Sequence, residues 1–326
     1  MKIILSPFTN PKLNLALEEY ILNEFTQGEI IMLWRNERSV IIGKNQNAYA
    51  EIDLDFVEKN AIPVVRRMTG GGAVFHDLGN LNFTFISDYK EGDFGSYKAF
   101  AQPVCDYLKT LGLAAEVTGR NDIEANGFKI SGNAQTVAKN RILQHGTLLY
   151  SADLKSLSSA LKPKAQKLSG KGITSVRSRV ENIKNLANCA LSAEEFMKNL
   201  FEFFLALPNA EQKELSTDDI KRAENLCSEK YEKFEWNFGF SPEFEVVKEK
   251  TFTGGNLEAH LQIRDGIIAD IKIYGDFFGI LPVCELEKAL VGAQFIGSAV
   301  SEKIKNIKVS DYISGLSNDE FLSVLF

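Results

Sequence analysis

The chain is poor in cysteine and histidine and has no long apolar run. Its four cysteines, Cys105, Cys189, Cys227 and Cys284, lie far apart with no CxxC pair. That spacing argues against a zinc site and gives no sign of a disulfide framework. Only three histidines occur in 326 residues. No apolar segment reaches the length of about 18 residues that a membrane helix needs. Met1–Leu5 is too short an apolar run for a signal peptide, and Pro7 follows it. A cytoplasmic protein with no membrane partner is therefore expected. The formal net charge of -6 leaves no overall basic footprint for nucleic acid. Internal repeats and low-complexity tracts are also lacking.

What is present fits a folded chain of one large domain and one small one, with 44% hydrophobic and 25% charged residues. Asn10-Pro11 reads as an N-cap followed by proline at the first helical position. Leu13, Leu17, Tyr20 and Ile21 then recur at helical spacing. Ile30–Arg35 and Ser39–Gly43 are β-branched runs separated by a polar triplet, which predicts a hairpin. Leu54–Asn60 reads as a short helix. Leu81–Ser87 alternates Leu81, Phe83 and Phe85 with Asn82 and Thr84, a strand with two different faces. Asn126-Gly127 is a strong hairpin signal and puts Lys129 on a strand just past the turn. His145 and Thr147 share a face of the strand Arg141–Tyr150. Ser192…Glu195 is a capping box that opens a helix running to Leu207. Composition shifts near residue 240. Beyond it come strands Glu243–Lys250, Asn256–Arg264 and Ile267–Tyr274, a turn at Asp265-Gly266, and three helices. The expected division is 1–240 and 245–326.

The stretch Arg66–Asn82, RRMTGGGAVFHDLGNLN, concentrates the chemistry. Three successive glycines allow close backbone approach and φ > 0, and consecutive amides can cradle an anion. Arg66 and Arg67 supply fixed positive charge suited to carboxylate or phosphate. Val64-Val65 and Ala73–Phe75 read as short buried strands around a turn. A solvated glycine-rich loop is the plainer alternative. Neither a GxxxxGK[ST] loop nor a GxGxxG fingerprint is present.

The longer string RRMTGGGAVFHDLGNLNFTFI resembles the phosphate-binding signature of lipoate–protein ligases. Further stretches match that family in order: Asn14–Tyr20 (NLALEEY) with Trp34, Ile42–Asn47 (IGKNQN), Asn121-Asp122 with Lys129–Gly132 (KISG), and His145–Leu149 (HGTLL) with Lys171–Arg179. The resemblance covers nearly the whole chain. It implies an α+β (α/β) catalytic domain of the biotin/lipoate ligase type, with mixed and antiparallel sheets and flanking helices. A small C-terminal α/β accessory domain would follow. The implied reaction uses ATP, with Mg²⁺, to convert lipoate to lipoyl-AMP. The acyl group then passes to a lysine on a lipoyl domain of an oxo-acid dehydrogenase E2 subunit or on the glycine cleavage H protein. A monomer is expected.

The resemblance also assigns residues. ATP would meet Arg67, Gly70, Gly71, Gly72, Ala73, Val74, Phe75, Lys129 and Asp122, with Asp122 also a candidate metal ligand. Asn121 is a candidate contact to ribose, phosphate or metal. Lipoate would meet Leu17, Trp34, Arg66, Lys129, His145 and Gly146. Lys129 is the catalytic candidate, because a compact ammonium can stabilise charge in both half-reactions; an exposed hairpin lysine is the plainer alternative. His76 and His145 read either as acid–base groups or as neutral hydrogen-bonding residues. Lys162–Lys184 carries seven basic residues against Glu181, a run that by itself reads as solvated. By resemblance its segment Lys171, Gly172, Ile173, Thr174, Ser175 and Val176 closes over the adenylate and excludes water.

An ATP-independent octanoyl or lipoyl transferase would instead need a cysteine nucleophile after the lysine. The first cysteine there is Cys189, in a polar stretch. A biotin ligase would carry a different glycine and arginine signature. A non-enzymatic lipoyl or nucleotide sensor is the reading from another class, against which Lys129, Arg67 and the glycines argue.

Overall fold

Asn10 accepts the amides of Lys12 and Leu13 through Oδ1, and Pro11 occupies the first turn, so helix α1 (Pro11–Glu24) begins where the cap signal lies. The computed structural model describes residues 1–46, 48–119, 121–161, 180–238, 246–264, 267–295 and 297–326. Asn47, the 171–176 segment and the 265–266 turn lie outside the described residues.

A mixed eight-stranded sheet organises the larger part of the chain, in the order β11-β1-β2-β6-β10-β9-β8-β7. Its strands are β1 (Lys2–Leu5), β2 (Ile30–Arg35), β6 (Asn80–Asp88), β7 (Ala115–Thr118), β8 (Asp122–Ala125), β9 (Phe128–Ala138), β10 (Arg141–Leu149) and β11 (Glu211–Gln212). A small sheet of β3 (Ser39–Ile42), β4 (Val64–Arg66) and β5 (Val74–His76) has β3 in the centre, parallel to β4 and antiparallel to β5. The expected hairpin between β2 and β3 is therefore absent. Both runs are strands, but they pair in different sheets. β2 runs parallel to β1 and antiparallel to β6. Both runs are buried and β-branched, and such runs do not encode which neighbour they will pair with.

Both faces of the large sheet are covered. Leu81, Phe83 and Phe85 of β6 pack with α2 (Tyr97–Thr110) and α3 (Ala193–Leu205) in one core, through Val104, Leu108, Phe196 and Phe204. The opposite face carries Met32, Trp34, Ile86 and Leu143 against α1 and α4 (Thr217–Leu226). α4 runs on into a π-helical turn, Cys227–Tyr231. Asn80, Asn82 and Thr84 of β6 point to this second face and are buried, although polar alternation usually marks a solvent face.

The C-terminal part is an antiparallel meander of β12 (Val246–Phe252), β13 (Gly255–Arg264) and β14 (Ile267–Gly275). It packs on α5 (Val283–Leu290), α6 (Gly297–Ile304) and α7 (Asn318–Leu325) in a core of its own. The architecture is α+β throughout.

Candidate active site

The glycine run arches over the end of β3, joining β4 on one side of it to β5 on the other. Gly43 ends β3 directly beneath. A Cβ on Gly43 would lie 2.0 Å from the Gly71 carbonyl oxygen, so only glycine fits there. Gly71 has φ +91, a left-handed value that favours glycine.

Arg67 shapes this arch from inside. It is buried, and its guanidinium donates to Thr69 Oγ1 (2.8 Å), Ile41 O (3.2 Å), Gly70 O (2.6 Å) and Gly72 O (2.9 Å). A planar peptide points its N–H opposite its C=O. Drawing the Gly70 and Gly72 carbonyls inward therefore turns the Gly71 and Ala73 amides outward. Burial lowers the Arg67 pKa to about 10, so its charge persists at neutral pH. The structure thus places Arg67 beneath the turn, supporting it with charge and shape.

Arg66 lies elsewhere. Its donors reach Trp236 O, Gly43 O, Lys44 O, Gln46 O and Asn237 O, at 2.6–3.2 Å. Expected beside lipoate, it instead ties the 43–46 loop to the end of the large domain. Trp236 Nε1 returns a bond to Arg66 O at 2.8 Å.

The C-terminal part rests on the glycine turn. Phe277 O accepts the Gly71 amide at 3.3 Å, and Asn45 O accepts the Gly275 amide at 2.7 Å. A Cβ on Gly70 would come 2.3 Å from Phe277 O, and one on Gly71 would come 3.2 Å from the Phe278 ring. Phe278 packs with Tyr97, ring centroids 5.8 Å apart, and with Ala134. Gly70 and Gly71 are thus closely approached by protein backbone and ring. Gly72, Ala73 and Val74 are partly exposed, while Phe75 is buried. No sequence motif singled out Phe278.

Lys129 owes its aim to a β-bulge. Ile123 faces Ser131 while Glu124 faces Lys129, so Ile130 is the extra residue. In a regular strand, residues three apart point to opposite faces; the bulge places Lys129 and Gly132 on one side. Lys129 Nζ would lie 3.5 Å from a Cβ on Gly132 and pairs with Asp122 Oδ1 at 2.7 Å. Gly132 also donates its amide to Thr147 Oγ1, 3.2 Å away on β10. Asn121 donates its side-chain amide to Asn133 O, and its own carbonyl accepts the Asn133 side-chain amide. Among the described residues no group of three His, Cys, Asp or Glu side chains could hold a metal. Asp122 is already paired with the Lys129 ammonium.

Deeper in the same face, Trp34 is buried against both histidines, edge to ring, at 6.1 Å from His76 and 6.4 Å from His145. Leu17 is buried in the same cluster. His145 Nε2 meets Thr69 Oγ1 at 2.9 Å, and Nδ1 meets the Glu18 carboxylate at 2.9 Å. His76 Nδ1 meets the Asn36 amide at 3.0 Å, and burial depresses its pKa to about 3. It is neutral there, with its proton on Nε2. Gly146 turns toward the opposite face, where a Cβ would meet Asn133 Oδ1 and Phe83 at 2.4 Å. Glu18 escaped the reading of the sequence. Its signal was a pair of adjacent carboxylates in the middle of an otherwise buried helix.

The arrangement puts an amide-lined turn, an ammonium and an apolar cluster on one sheet face. That combination suits an anionic, phosphate-bearing ligand beside an aliphatic one.

Comparison with known proteins agrees. Residues 10–205 match the family model for the lipoyl protein ligase A/B catalytic domain, and residues 241–325 match that for the bacterial lipoate protein ligase C-terminus. A lipoate-protein ligase of Bacillus subtilis, LplJ, is 40% identical over 97% of each chain. Lipoate–protein ligase 1 of Staphylococcus aureus is 39% identical over the same shares. Among solved structures, P. falciparum LipL1 in complex with lipoate superposes with a TM-score of 0.78 at 25% identity, over 99% of this chain and 97% of that one. A lipoate-protein ligase A bound with ATP gives 0.63 at 32% identity, over 73% and 99%.

Proposed function

This chain belongs to the lipoate–protein ligase family, and we propose how its residues divide that family's reaction between them. The enzyme ligates lipoate to an acceptor lysine at the expense of ATP. In the first step a lipoate carboxylate oxygen bonds to the α-phosphorus, the bond to the β-phosphate bridge breaks, and pyrophosphate leaves. In the second the lysine amine attacks the acyl carbon, AMP departs, and the amine proton passes to solvent.

Carboxylate and triphosphate repel one another, so positioning and fixed positive charge carry the rate. The turn Gly70–Phe75 offers the phosphates its outward Ala73 amide, with buried Arg67 holding the turn in place. Lys129 sits between phosphate and acyl oxygens, with Asp122 fixing its ammonium. Leu17, Trp34 and His145 line the slot for the aliphatic chain. Val180 is bridged to Lys129, whose carbonyl accepts the Glu181 amide at 3.2 Å. Mg²⁺ bound with the nucleotide would neutralise charge on its phosphates, and Asp122 is the carboxylate that would meet it.

We assign the large domain to 1–240 and the accessory domain to 245–326, and place the enzyme in the cytoplasm as a monomer. Its partners are lipoyl domains of E2 subunits or the glycine cleavage H protein. An archaeal relative, the bipartite ligase of Thermoplasma acidophilum described with its E2 lipoyl domain, supports that class of acceptor. Transfer through Cys189 is disfavoured by position. Cys189 packs on the core of α2 and α3, on the far side of the sheet from His145.

The observation that carries this reading is Lys129 and its bulge, which turn one ammonium onto the face that holds the glycine turn and Trp34. The test is lipoate-dependent ATP–pyrophosphate exchange by the purified chain. Acyl transfer to an acceptor domain without any such exchange would refute the ligase assignment.

A further inference from the structure

Helix α1 places two adjacent glutamates in the large domain's interior. Glu19 has conventional partners, accepting from Lys230 Nζ at 2.8 Å and Tyr231 OH at 2.6 Å. Glu18 does not. It is fully buried, and its partners are the Thr84 hydroxyl at 2.6 Å and His145 Nδ1 at 2.9 Å. Burying a carboxylate is costly, and an apolar residue would pack there without that cost.

The hydrogen-bond directions follow from the groups themselves. Arginine only donates, so Arg67 Nε gives its proton to Thr69 Oγ1 at 2.8 Å. Thr69 Oγ1 accepts there and keeps its own proton to give to His145 Nε2, 2.9 Å away. An accepting Nε2 puts the ring proton on Nδ1, which donates to Glu18. From the other side, Trp34 Nε1 donates to Thr84 Oγ1 at 2.9 Å, and Thr84 donates to Glu18 Oε1. Two lines of donors thus converge on one carboxylate. One begins under the glycine turn, where Arg67 also grips the Gly70 and Gly72 carbonyls. The other begins at Trp34.

We propose that Glu18 is a positioning residue that holds Arg67 and the glycine turn in place through His145 and Thr69, and through Thr84 ties that turn to Trp34. The proposal rests on the reading above, in which the turn takes the phosphates and Trp34 the acyl chain. It adds that the two subsites are energetically coupled through one buried carboxylate. Such coupling is reciprocal and typically amounts to about 5- to 150-fold in affinity.

Glu18→Gln keeps the shape and removes the double acceptor. An amide N–H facing Nδ1 makes that nitrogen an acceptor and moves the proton to Nε2. Thr69 Oγ1 then accepts from both Arg67 and His145 through its two lone pairs, so the line of donors from Arg67 to residue 18 is broken at His145. The test uses the full chain, ATP, and the primary-alcohol analogue of lipoate, which occupies the slot without reacting. In the wild type the analogue should tighten ATP binding about fivefold or more; in Glu18→Gln it should do nothing. KM for ATP should rise about tenfold or more, within that same coupling range, with analogue binding in the absence of ATP changed less than about twofold. Nitrogen NMR should show the His145 proton moving from Nδ1 to Nε2.

Thr69→Val cuts the path while leaving Glu18 paired to His145. It should raise the ATP KM as Glu18→Gln does and add nothing in the double variant, because both changes break one path. It also supplies the answer if Glu18→Gln does not fold. Hydrogen exchange at the Gly71 and Ala73 amides needs no nucleotide, and should speed up in both variants. Unchanged exchange there, or additive effects in the double variant, would overturn the proposal. Faster exchange together with unaltered ATP binding would leave the positioning role intact and overturn the phosphate-turn reading instead.

Discussion

Phe277 O accepts the Gly71 amide at 3.3 Å, so a residue of the C-terminal domain occupies an outward amide of the glycine turn. The contact depends on Gly70, whose missing side chain admits the Phe277 carbonyl. Gly70→Ala should separate the two surfaces without unfolding either. Hydrogen exchange at the Gly71 and Gly275 amides should quicken while β6 stays protected. Pyrophosphate exchange should fall more than acyl transfer from synthetic lipoyl-AMP. Equal loss of both activities would mean that the interface does not act on the nucleotide step.

Lys129→Ala should slow both half-reactions. An ammonium between the α-phosphate and acyl oxygens serves both transition states, and such a donor is worth ~3–4 kcal/mol, about 100- to 1,000-fold in rate. Lys129→Arg should not restore activity, because the guanidinium is broad and its donors lie in a fixed fork. Wild-type rates for Lys129→Ala in both assays would shift the chemistry to other groups.

Arg66→Met should act on stability. Five carbonyls of the 43–46 loop and of Trp236–Asn237 would lose a charged donor. Bonds to charged groups contribute about 1.5–3 kcal/mol each, and the carbonyls stay buried, so a loss of at least about 3 kcal/mol is expected in urea unfolding. A folded variant with normal stability but weakened lipoate binding would instead restore Arg66 to the lipoate slot.

Trp34→Ala should admit bulkier acids and weaken lipoate binding by ~1–3 kcal/mol, the scale of lost apolar burial. It should also lower Tm, because a large side chain leaves the core and Thr84 loses the indole donor. Competition among acids of increasing bulk is the measurement. Unchanged selectivity with lowered Tm would make Trp34 core alone.

His76 should contribute to acid lability. Its pKa is about 3 when folded against an ordinary 6.5, so between those values the unfolded chain binds the extra proton. Its contribution is complete above pH 6.5 and declines as pH falls, with a slope of up to about 1.4 kcal/mol per pH unit. Urea midpoints for His76→Gln, measured from pH 7 to pH 4.5, should fall less steeply than those of the wild type. Parallel curves would mean that His76 takes up its proton in the folded state.

The sequence by itself determined the local elements and the order of the motifs. Asn10-Pro11 started α1, the Ser192…Glu195 box opened α3, and Asn126-Gly127 turned the hairpin with both residues at positive φ, 52 and 81. Those signals lie within a few residues of the backbone groups they satisfy. The motif strings identified the family because they record many ordered positions together. Tertiary structure alone decided partnership. Ile30–Arg35 and Ser39–Ile42 look like a hairpin, yet pair in separate sheets, because an apolar strand carries no address for its neighbour. Asn82 and Thr84 look like a solvent face until α1 covers them and Thr84 turns to Glu18. The aim of Lys129 depends on one unpaired residue, Ile130, which no alternation pattern reveals. Arg66 and Arg67 are chemically identical neighbours, but strand alternation sends one to the 43–46 loop and the other under the glycine turn. Glu18 acquires its partners only when α1, β6 and β10 meet, and carbonyls offered by Phe277 or Gly70 are invisible in side-chain chemistry. What remained unreadable was therefore long-range pairing and backbone contact, whose energies depend on distances the linear chain does not contain.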